Sequence, residues 1–468
     1  MMDHAVLRAV FDRQAAATAA RRTSFGLRER RAALAALLAA LDRHRASLLA
    51  AMKADYGKNE TEATLWEILP VQTEIGHARR HLRRWMRPRK ALPSLTMLGT
   101  SARVKPEAKG VALIIAPWNF PVLLALGPVV SAIAAGNSVI LKPSELTPAT
   151  SAALKMMLAD TFPDDLVAVA EGGPEVAEAL LDMPFDHIFF TGSTAVGRIV
   201  MERAARHLTP VTLELGGKSP FIVGPGADLA KAARWIAWGR FANTGQTCVA
   251  PDHVFVPRAL EARLLSALKA ELERFYGPDP ARSPDYGRVV NSRHFGRLAG
   301  LLDDAVAQGA TIAHGGARAA DRCFLAPTIL TGTTPTMRIS DEEIFGPILP
   351  VIPYDDLAEA IGRINGRPKP LALYVFARDR SFIRRVQAET RSGGLGVNLT
   401  VAQFIHPNLP FGGIGASGLG AGHGRAGFET FSHPKPLLTN RLSTLPLVFP
   451  PYNGRVRALT RLLLRFLR

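Results

Sequence analysis

An α/β architecture, with a Rossmann-type doubly wound domain followed by a second α/β domain, is what the sequence predicts, and three observations predict it. Short apolar runs alternate with helical ones from Val111 to Val223, the alternation restarts after Pro220, and the 40 Gly and 34 Pro are scattered rather than periodic. Alternation of this kind marks a parallel sheet wrapped by helices. The 468 residues allow about three compact units at roughly 150 residues each. Hydrophobic residues make up 47% and charged residues 21%, enough apolar material for sizeable cores.

The elements follow in order. The start, MMDHAVLRAVFDRQ, carries charges and lacks a long apolar run, so it is no secretory signal. Leu34, Leu37, Leu38, Leu41, Leu48 and Met52 keep helical spacing, which predicts one amphipathic helix over Leu27 to Lys53, with a second over Thr61 to Met86. Gly110 to Leu141 runs about 30 residues without a charge, long enough to span a bilayer. Pro117, Pro121, Pro128, Asn119 and Asn137 within it favour a buried strand, a Pro-bounded turn, a buried helix and a second strand. The runs VALIIA, SVILK, LVAVAEG, HIFFTGS, VTLEL and PFIVG are the expected strands of the first half. A helix near Asp228 to Phe241, the strand HVFVP, and strands near Ile348 to Ile352 and Leu371 to Phe376 build the second. Ser392 to Gly424 is Gly-rich and too irregular for a helix.

Lys+Arg 57 against Asp+Glu 40 gives +17, which attracts anions without choosing among them. Part of the excess is RRHLRRWMRPRK, Arg79 to Lys90, which lacks the aromatic interleaving of a single-strand nucleic-acid platform and reads as a solvated helix face. The rest is the tail. There Arg457, Arg461, Arg465 and Arg468 alternate with Val456, Leu459, Leu463 and Phe466, an amphipathic basic helix that packs on protein or touches an anionic membrane peripherally through 455–468. Two Cys, Cys248 and Cys323, exclude a disulfide framework and a four-Cys zinc site, and point to a reducing, cytoplasmic setting.

Cys248 closes the polar loop Asn243-Thr244-Gly245-Gln246-Thr247 between a helix and a strand, a setting that favours exposure and reactivity; Cys323 in RCFLAP lacks such surroundings. A thiolate is intrinsically strongly nucleophilic, so modest activation suffices. Glu214 ends the strand VTLEL before a Gly pair, where partial burial would raise its pKa toward that of a general base. Asn119 in PWNFP is a polar amide in an apolar segment; buried without a partner it would cost about 1–3 kcal/mol, so it needs a structural bond or a ligand such as an oxyanion. Thr191-Gly192-Ser193 leads from a strand into a helix whose first N–H groups suit a phosphate, although Thr194 stands where the G-x-G-x-x-G fingerprint needs glycine. Lys142 and Glu145, in KPSE after another strand, suit sugar hydroxyls or an ordinary surface pair.

Together PWNFP, KPSE, FTGSTAVG, LELGGKSP, NTGQTC, EEIFGP and PFGGIGASG, with 34 residues from Glu214 to Cys248, resemble the NAD(P)-dependent aldehyde dehydrogenase superfamily over about residues 25–435. The short N-terminus and the Gly-rich ending are similar to its class 3 branch, with the bacterial coniferyl aldehyde dehydrogenases closest in pattern. The resemblance implies oxidation of an aromatic (coniferyl-type) or medium- to long-chain aliphatic aldehyde to the acid, with Cys248 as nucleophile, Asn119 with the Cys248 N–H as oxyanion donors and Glu214 activating water. It implies NAD, with NADP possible, held by Lys142 and Glu145 at the adenosine ribose, Thr191, Gly192, Ser193 and Trp118 near the pyrophosphate, Glu343 at the nicotinamide ribose and Phe345 against its ring. It implies no metal, no nucleic acid and a homodimer. The expected domains are 1–214 for the cofactor with a bridging segment near 95–110, 215–395 for the nucleophile, 396–440 as bridging and oligomerisation segment, and 441–468 as tail. Gly422 departs from the Tyr usual in class 3 relatives, a change expected to affect local packing and no catalytic role. A Cys hydrolase using His253 or His406 would explain the thiol but leave the sugar and phosphate motifs idle; a dead scaffold would leave Cys248, Glu214 and Asn119 idle.

Overall fold

The strand-forming runs are buried on both faces, so they read as unbroken apolar stretches and assemble into parallel sheets covered by helices. The computed structural model describes residues 4–92 and 97–466, the last without its side chain. Residues 1–3, residues 95 and 96 of the expected bridging segment, the Phe466 side chain and Arg468 lie outside the described residues.

In the first sheet the order is Gly418–Leu419, Val211–Glu214, His187–Thr191, Val111–Ile115, Ser138–Lys142, Val167–Val169, parallel except for the Gly418–Leu419 edge. The chain winds outward from Val111–Ile115 to one side, then returns to its other side with His187–Thr191. The carboxyl ends of these two strands therefore part at a topological switch point, where doubly wound sheets open a binding crevice. Register places Ile115 beside both Lys142 and Phe190, and Thr191 beside Glu214. One edge of one sheet thus carries Trp118, Lys142, Thr191, Ser193 and Glu214.

A second sheet begins with the next strand. Its order is Thr311–His314, Thr328–Thr331, Ile348–Tyr354, His253–Pro257, Pro220–Val223, Ala372–Phe376, Gly394–Val397, parallel but for the first pair. A three-stranded antiparallel arm joins Arg89–Lys90, Thr100–Ala108 and Ser432–Asn440. The Gly-rich stretch returns to the first sheet through Gly418–Leu419. Gly418 has φ +152, and a Cβ there would fall 2.4 Å from the Leu213 carbonyl oxygen, so glycine is what lets this edge lie beside the strand that carries Glu214.

Helices differ from expectation in two ways. The single helix over Leu27 to Lys53 is two, Leu27–Arg43 and Arg45–Tyr56, broken at His44, although Leu34, Leu37, Leu41, Leu48 and Met52 all reach the core. The second stretch is continuous from Glu60 to Met86 but contains a π-helical turn, Thr64–Ile68, which places Glu67 in the interior. The uncharged segment forms the strand Val111–Ile115, the buried helix Leu123–Ala135 with Pro128 inside it, and the strand Ser138–Lys142. Among the described residues no helix is long and apolar enough to cross a membrane. The tail forms the helix Gly454–Phe466 against the turn Leu445–Val448, with Val456 buried, Leu459 and Leu463 half-buried, and Leu462 and Leu464 exposed.

Candidate active site

The helix Leu229–Phe241 ends in a buried turn where Asn243 (φ 52°) and Thr244 (φ 56°) both enter the left-handed region. Non-glycine residues held there cost about 1–3 kcal/mol each and persist only when their surroundings over-determine them. Here the surroundings do. The Asn243 N–H donates to Glu62 Oε1 at 2.7 Å, Asn243 Nδ2 donates to the Asn119 carbonyl at 2.9 Å, Gln246 Nε2 donates to the Arg288 carbonyl at 3.1 Å, and Gln246 Oε1 accepts from the Val290 N–H at 2.9 Å.

Cys248 leaves this clamp half-buried, not exposed as the loop's polarity suggested. Burial, with the carboxyls of Glu343 and Glu214 nearby, pushes its thiol up to about 12. Cys248 lines a narrow cavity together with Glu214 and Thr191, within walls that include Leu123, Leu124, Phe189, Phe404 and Phe411. Glu214 is buried, and neither carboxyl oxygen has a hydrogen-bond partner. The Gly422 N–H, which lies nearby, is committed to the Phe411 carbonyl at 2.7 Å. Burial therefore dominates and holds Glu214 well above the ordinary carboxyl range.

Asn119 is buried and donates from Nδ2 to the carbonyl of Gln246 at 3.0 Å, which ties it to the loop two residues before the sulfur. An amide nitrogen carries two N–H groups, so one remains for a ligand. Its turn is fixed from beneath by residues that sequence reasoning passed over. Glu67 Oε2 accepts from the Val122 and Leu123 N–H groups at 2.8 and 3.3 Å, Lys58 Nζ donates to Glu67 Oε1 at 2.6 Å and lies 4.3 Å from the Phe120 ring centre. No local pattern marks this pair, since Glu67 looks like an ordinary surface charge of an amphipathic helix and Lys58 like one of the connection before it.

Around the switch point, Lys142 is buried and donates to Glu145 Oε2 at 2.6 Å, while the Glu145 side chain stays 40% exposed and able to accept further hydrogen bonds. Ser193 caps the helix Thr194–Ala205 by accepting the Val196 N–H at 3.3 Å, and the Gly192 N–H donates to the Glu214 carbonyl at 3.0 Å. Trp118 meets Phe345 edge to face with ring centres 5.5 Å apart. The Glu343 carboxyl packs so closely on Gly216 that a Cβ there would fall 1.9 Å from Glu343 Oε2; burial first of all raises it to about 7. Its loop hangs on Lys218 and Asp252: Lys218 Nζ contacts Asp252 Oδ2 and donates to the Ile339 and Glu342 carbonyls, and Asp252 Oδ1 accepts the Ile344 N–H at 2.9 Å. Lys218 stands in the LELGGKSP motif; Asp252, four residues past Cys248, gave no signal of its own.

Cys248, Glu214 and Thr191 thus share one cavity, with Asn119 tied to the nucleophile loop and Glu343 close enough to act on the thiol. Lys142, Glu145 and Ser193 lie along the same sheet edge outside the cavity wall. Gly422 belongs to that wall, and a Cβ on it would stand 3.8 Å from Glu214 Oε1 and 3.5 Å from the Phe189 ring. His253 is bound up with Asp252, and Cys323 packs beside the cluster of Leu298 and Phe295 and is not part of the cavity wall.

Residues 3–437 match the model of the aldehyde dehydrogenase family. The chain is 46% identical over 429 residues to aldehyde dehydrogenase family 3 member A2 of Mus musculus, covering 91% of this chain and 87% of the relative. It is 43% identical over 428 residues to the probable coniferyl aldehyde dehydrogenase of Pseudomonas aeruginosa, covering 91% and 90%. The solved substrate-bound state of Staphylococcus aureus AldH superposes with a TM-score of 0.93 at 40% identity, covering 98% of this chain and 99% of that one.

Proposed function

Because the chain belongs to the aldehyde dehydrogenase family, and is therefore an oxidoreductase acting on the aldehyde group, we propose that Cys248 is its nucleophile, Asn119 its oxyanion donor and Glu214 its general base. One observation carries this reading: a thiol and an unpartnered buried carboxyl line the same cavity beside a sheet's switch point. Cys248 adds to the aldehyde carbon as its proton leaves. With a thiol raised to about 12, that proton departs to solvent water only as the sulfur attacks. The negative charge that develops on the substrate oxygen is met by the free Asn119 N–H and the Cys248 N–H, both preorganised by the pinned turn. The acyl group left on the sulfur is released when Glu214 takes a proton from the attacking water, and the carboxylic acid departs.

Enzymes of this family use NAD or NADP. The donor set fits such a group: a cation and a carboxylate at one strand end, a capped helix N-terminus, and two aromatic rings along one sheet edge. Lys142 and Glu145 would hold the adenosine ribose, Thr191, Gly192, Ser193 and Trp118 the pyrophosphate, Glu343 and Phe345 the nicotinamide riboside. When bound, the nicotinamide supplies the acceptor for the substrate's hydride. Glu145 favours NAD, since its carboxylate accepts from a ribose 2′-OH and repels a 2′-phosphate.

The first sheet with residues 1–214 forms the cofactor domain in this reading and 215–395 the domain of the nucleophile, with 396–440 and the arm bridging them. A homodimer is supported by the outer strand Ser432–Asn440, exposed from His433 onward and so open to a second copy. The tail helix packs on its own chain, with peripheral membrane contact through 455–468 as the rival that liposome sedimentation of a truncated chain decides. Two free thiols support a cytoplasmic setting. The apolar and aromatic cavity wall supports a coniferyl-type aldehyde. The decisive experiment is Cys248→Ala with such an aldehyde and NAD: turnover falls by more than roughly a thousandfold, and undiminished turnover overturns the reading.

A further inference from the structure

The cavity that holds Cys248 and Glu214 contains a second carboxyl that this chemistry leaves idle. Glu74 comes from the helix Leu69–Met86, is 8% exposed, and lines the wall beside Thr73, Gly422 and His423. Its Oε1 accepts the Gly424 N–H at 2.6 Å; among the described residues its Oε2 accepts nothing. Unlike Glu67 and Asp252, which are buried to brace turns with lysine partners, Glu74 has no cation paired with it among the described residues. A buried carboxyl with one free oxygen, in a wall that includes Leu123, Leu124, Phe189, Phe404 and Phe411, carries a desolvation penalty that a ligand's hydrogen-bond donor would relieve.

We propose that Glu74 is a substrate-specificity residue, which accepts a hydrogen bond from a hydroxyl carried by the aldehyde away from its reacting carbon. The inference rests on the dehydrogenase reading above and names its substrate class: a neutral hydroxylated aromatic aldehyde. A substrate carboxylate is disfavoured, because it offers no hydrogen to Glu74 and would be buried in a largely apolar wall beside a second carboxyl. A cationic substrate is disfavoured by the chain's net charge of +17. Aromatic bulk fits the ring-lined wall, and Gly422 leaves room beside Phe189 that a side chain would fill. Burial raises Glu74 to about 7, and the form with its free oxygen unprotonated is still well populated near neutral pH.

The test compares 4-hydroxycinnamaldehyde with 4-methylcinnamaldehyde, similar in size but without the donor, in the full-length protein with NAD. The wild type shows a KM several-fold lower for the hydroxylated aldehyde. Glu74→Leu lowers the ratio of kcat/KM values, hydroxyl over methyl, about tenfold relative to wild type, through KM rather than kcat. Comparing variants cancels the aldehydes' intrinsic reactivities. A merely structural role at Gly424 would lower both substrates together and leave the ratio unmoved. Glu74→Gln keeps the Gly424 bond through its one carbonyl oxygen but puts an NH2 donor where the free oxygen stood, so it loses most of the hydroxyl preference while the bond to Gly424 persists. An equal KM for both aldehydes in the wild type, or an unchanged ratio in Glu74→Leu, overturns the inference while the dehydrogenase reading stands. A wild type that oxidises neither aldehyde nor any simple alkanal overturns both.

Discussion

Two carboxyls buried to a similar depth, Glu214 and Asp252, meet opposite fates. Glu214 has no partner on either oxygen and is held well above its ordinary value by burial. For Asp252 burial also pushes upward, but Lys218, His253 and Arg240 outweigh it, and the group is depressed far below its ordinary 3.8. Asp252 accepts from Lys218 and from the Ile344 N–H, so it anchors the loop that carries Glu343 and Phe345. The difference teaches that burial alone does not decide whether a carboxyl braces a structure or performs chemistry. A partnered one is spent on structure. An orphaned one is available to the substrate.

The contrast can be broken most forcefully at Asp252. Asp252→Asn strands the buried Lys218 ammonium and costs about 3–5 kcal/mol of stability, read from urea unfolding. Because Asp252 is depressed in the folded state, its stabilisation is present above the unfolded value and is lost as pH falls below about 3.8 toward the folded pKa. Next in size is Asn119→Ala, which removes an oxyanion donor and raises the barrier by about 2.7–4 kcal/mol, seen as a hundredfold or greater fall in kcat with the fold intact by circular dichroism.

Glu214→Gln sharpens the other arm. Deacylation slows by roughly a hundredfold, so stopped-flow shows a burst of NADH and then a weak steady state. Unlike Asp252→Asn, it leaves stability equal to or above wild type. The raised carboxyl keeps its proton in the folded state above pH 4.5, where the unfolded chain has lost it, so wild-type stability declines with rising pH and the variant's advantage in Tm grows. Wild-type deacylation, which needs the ionised base, climbs over the same direction of pH. The smallest effect is expected at the cofactor: Glu145→Gln narrows the preference for NAD over NADP about tenfold, or about 1.4 kcal/mol, checked by initial rates with both dinucleotides.

The strands were legible because a parallel sheet buried on both faces must be apolar throughout, and VALII, SVILK and HIFFT stand out as such. The break at His44 was not, since apolar spacing on both sides continues in phase and only the local backbone departs from helix. Cys248, Glu214 and Asn119 were legible as candidates because each is a reactive or polar residue in a turn-rich loop, at a strand end or in an apolar run. Their environments were not. A loop that looks exposed proved buried, with Cys248 half-buried at its end, because Glu62, Asn119, Arg288 and Val290, distant in sequence, close around it.

What the sequence by itself determined is the order of strands and helices and the set of reactive groups, since periodicity and side-chain chemistry are local properties. Only the tertiary structure decided which buried carboxyl keeps a partner and which does not. It brought Glu74 to Gly424 across 350 residues, and set Gly422 in the cavity wall. Pairing and desolvation depend on neighbours supplied by remote segments, and no stretch of chain carries that information alone.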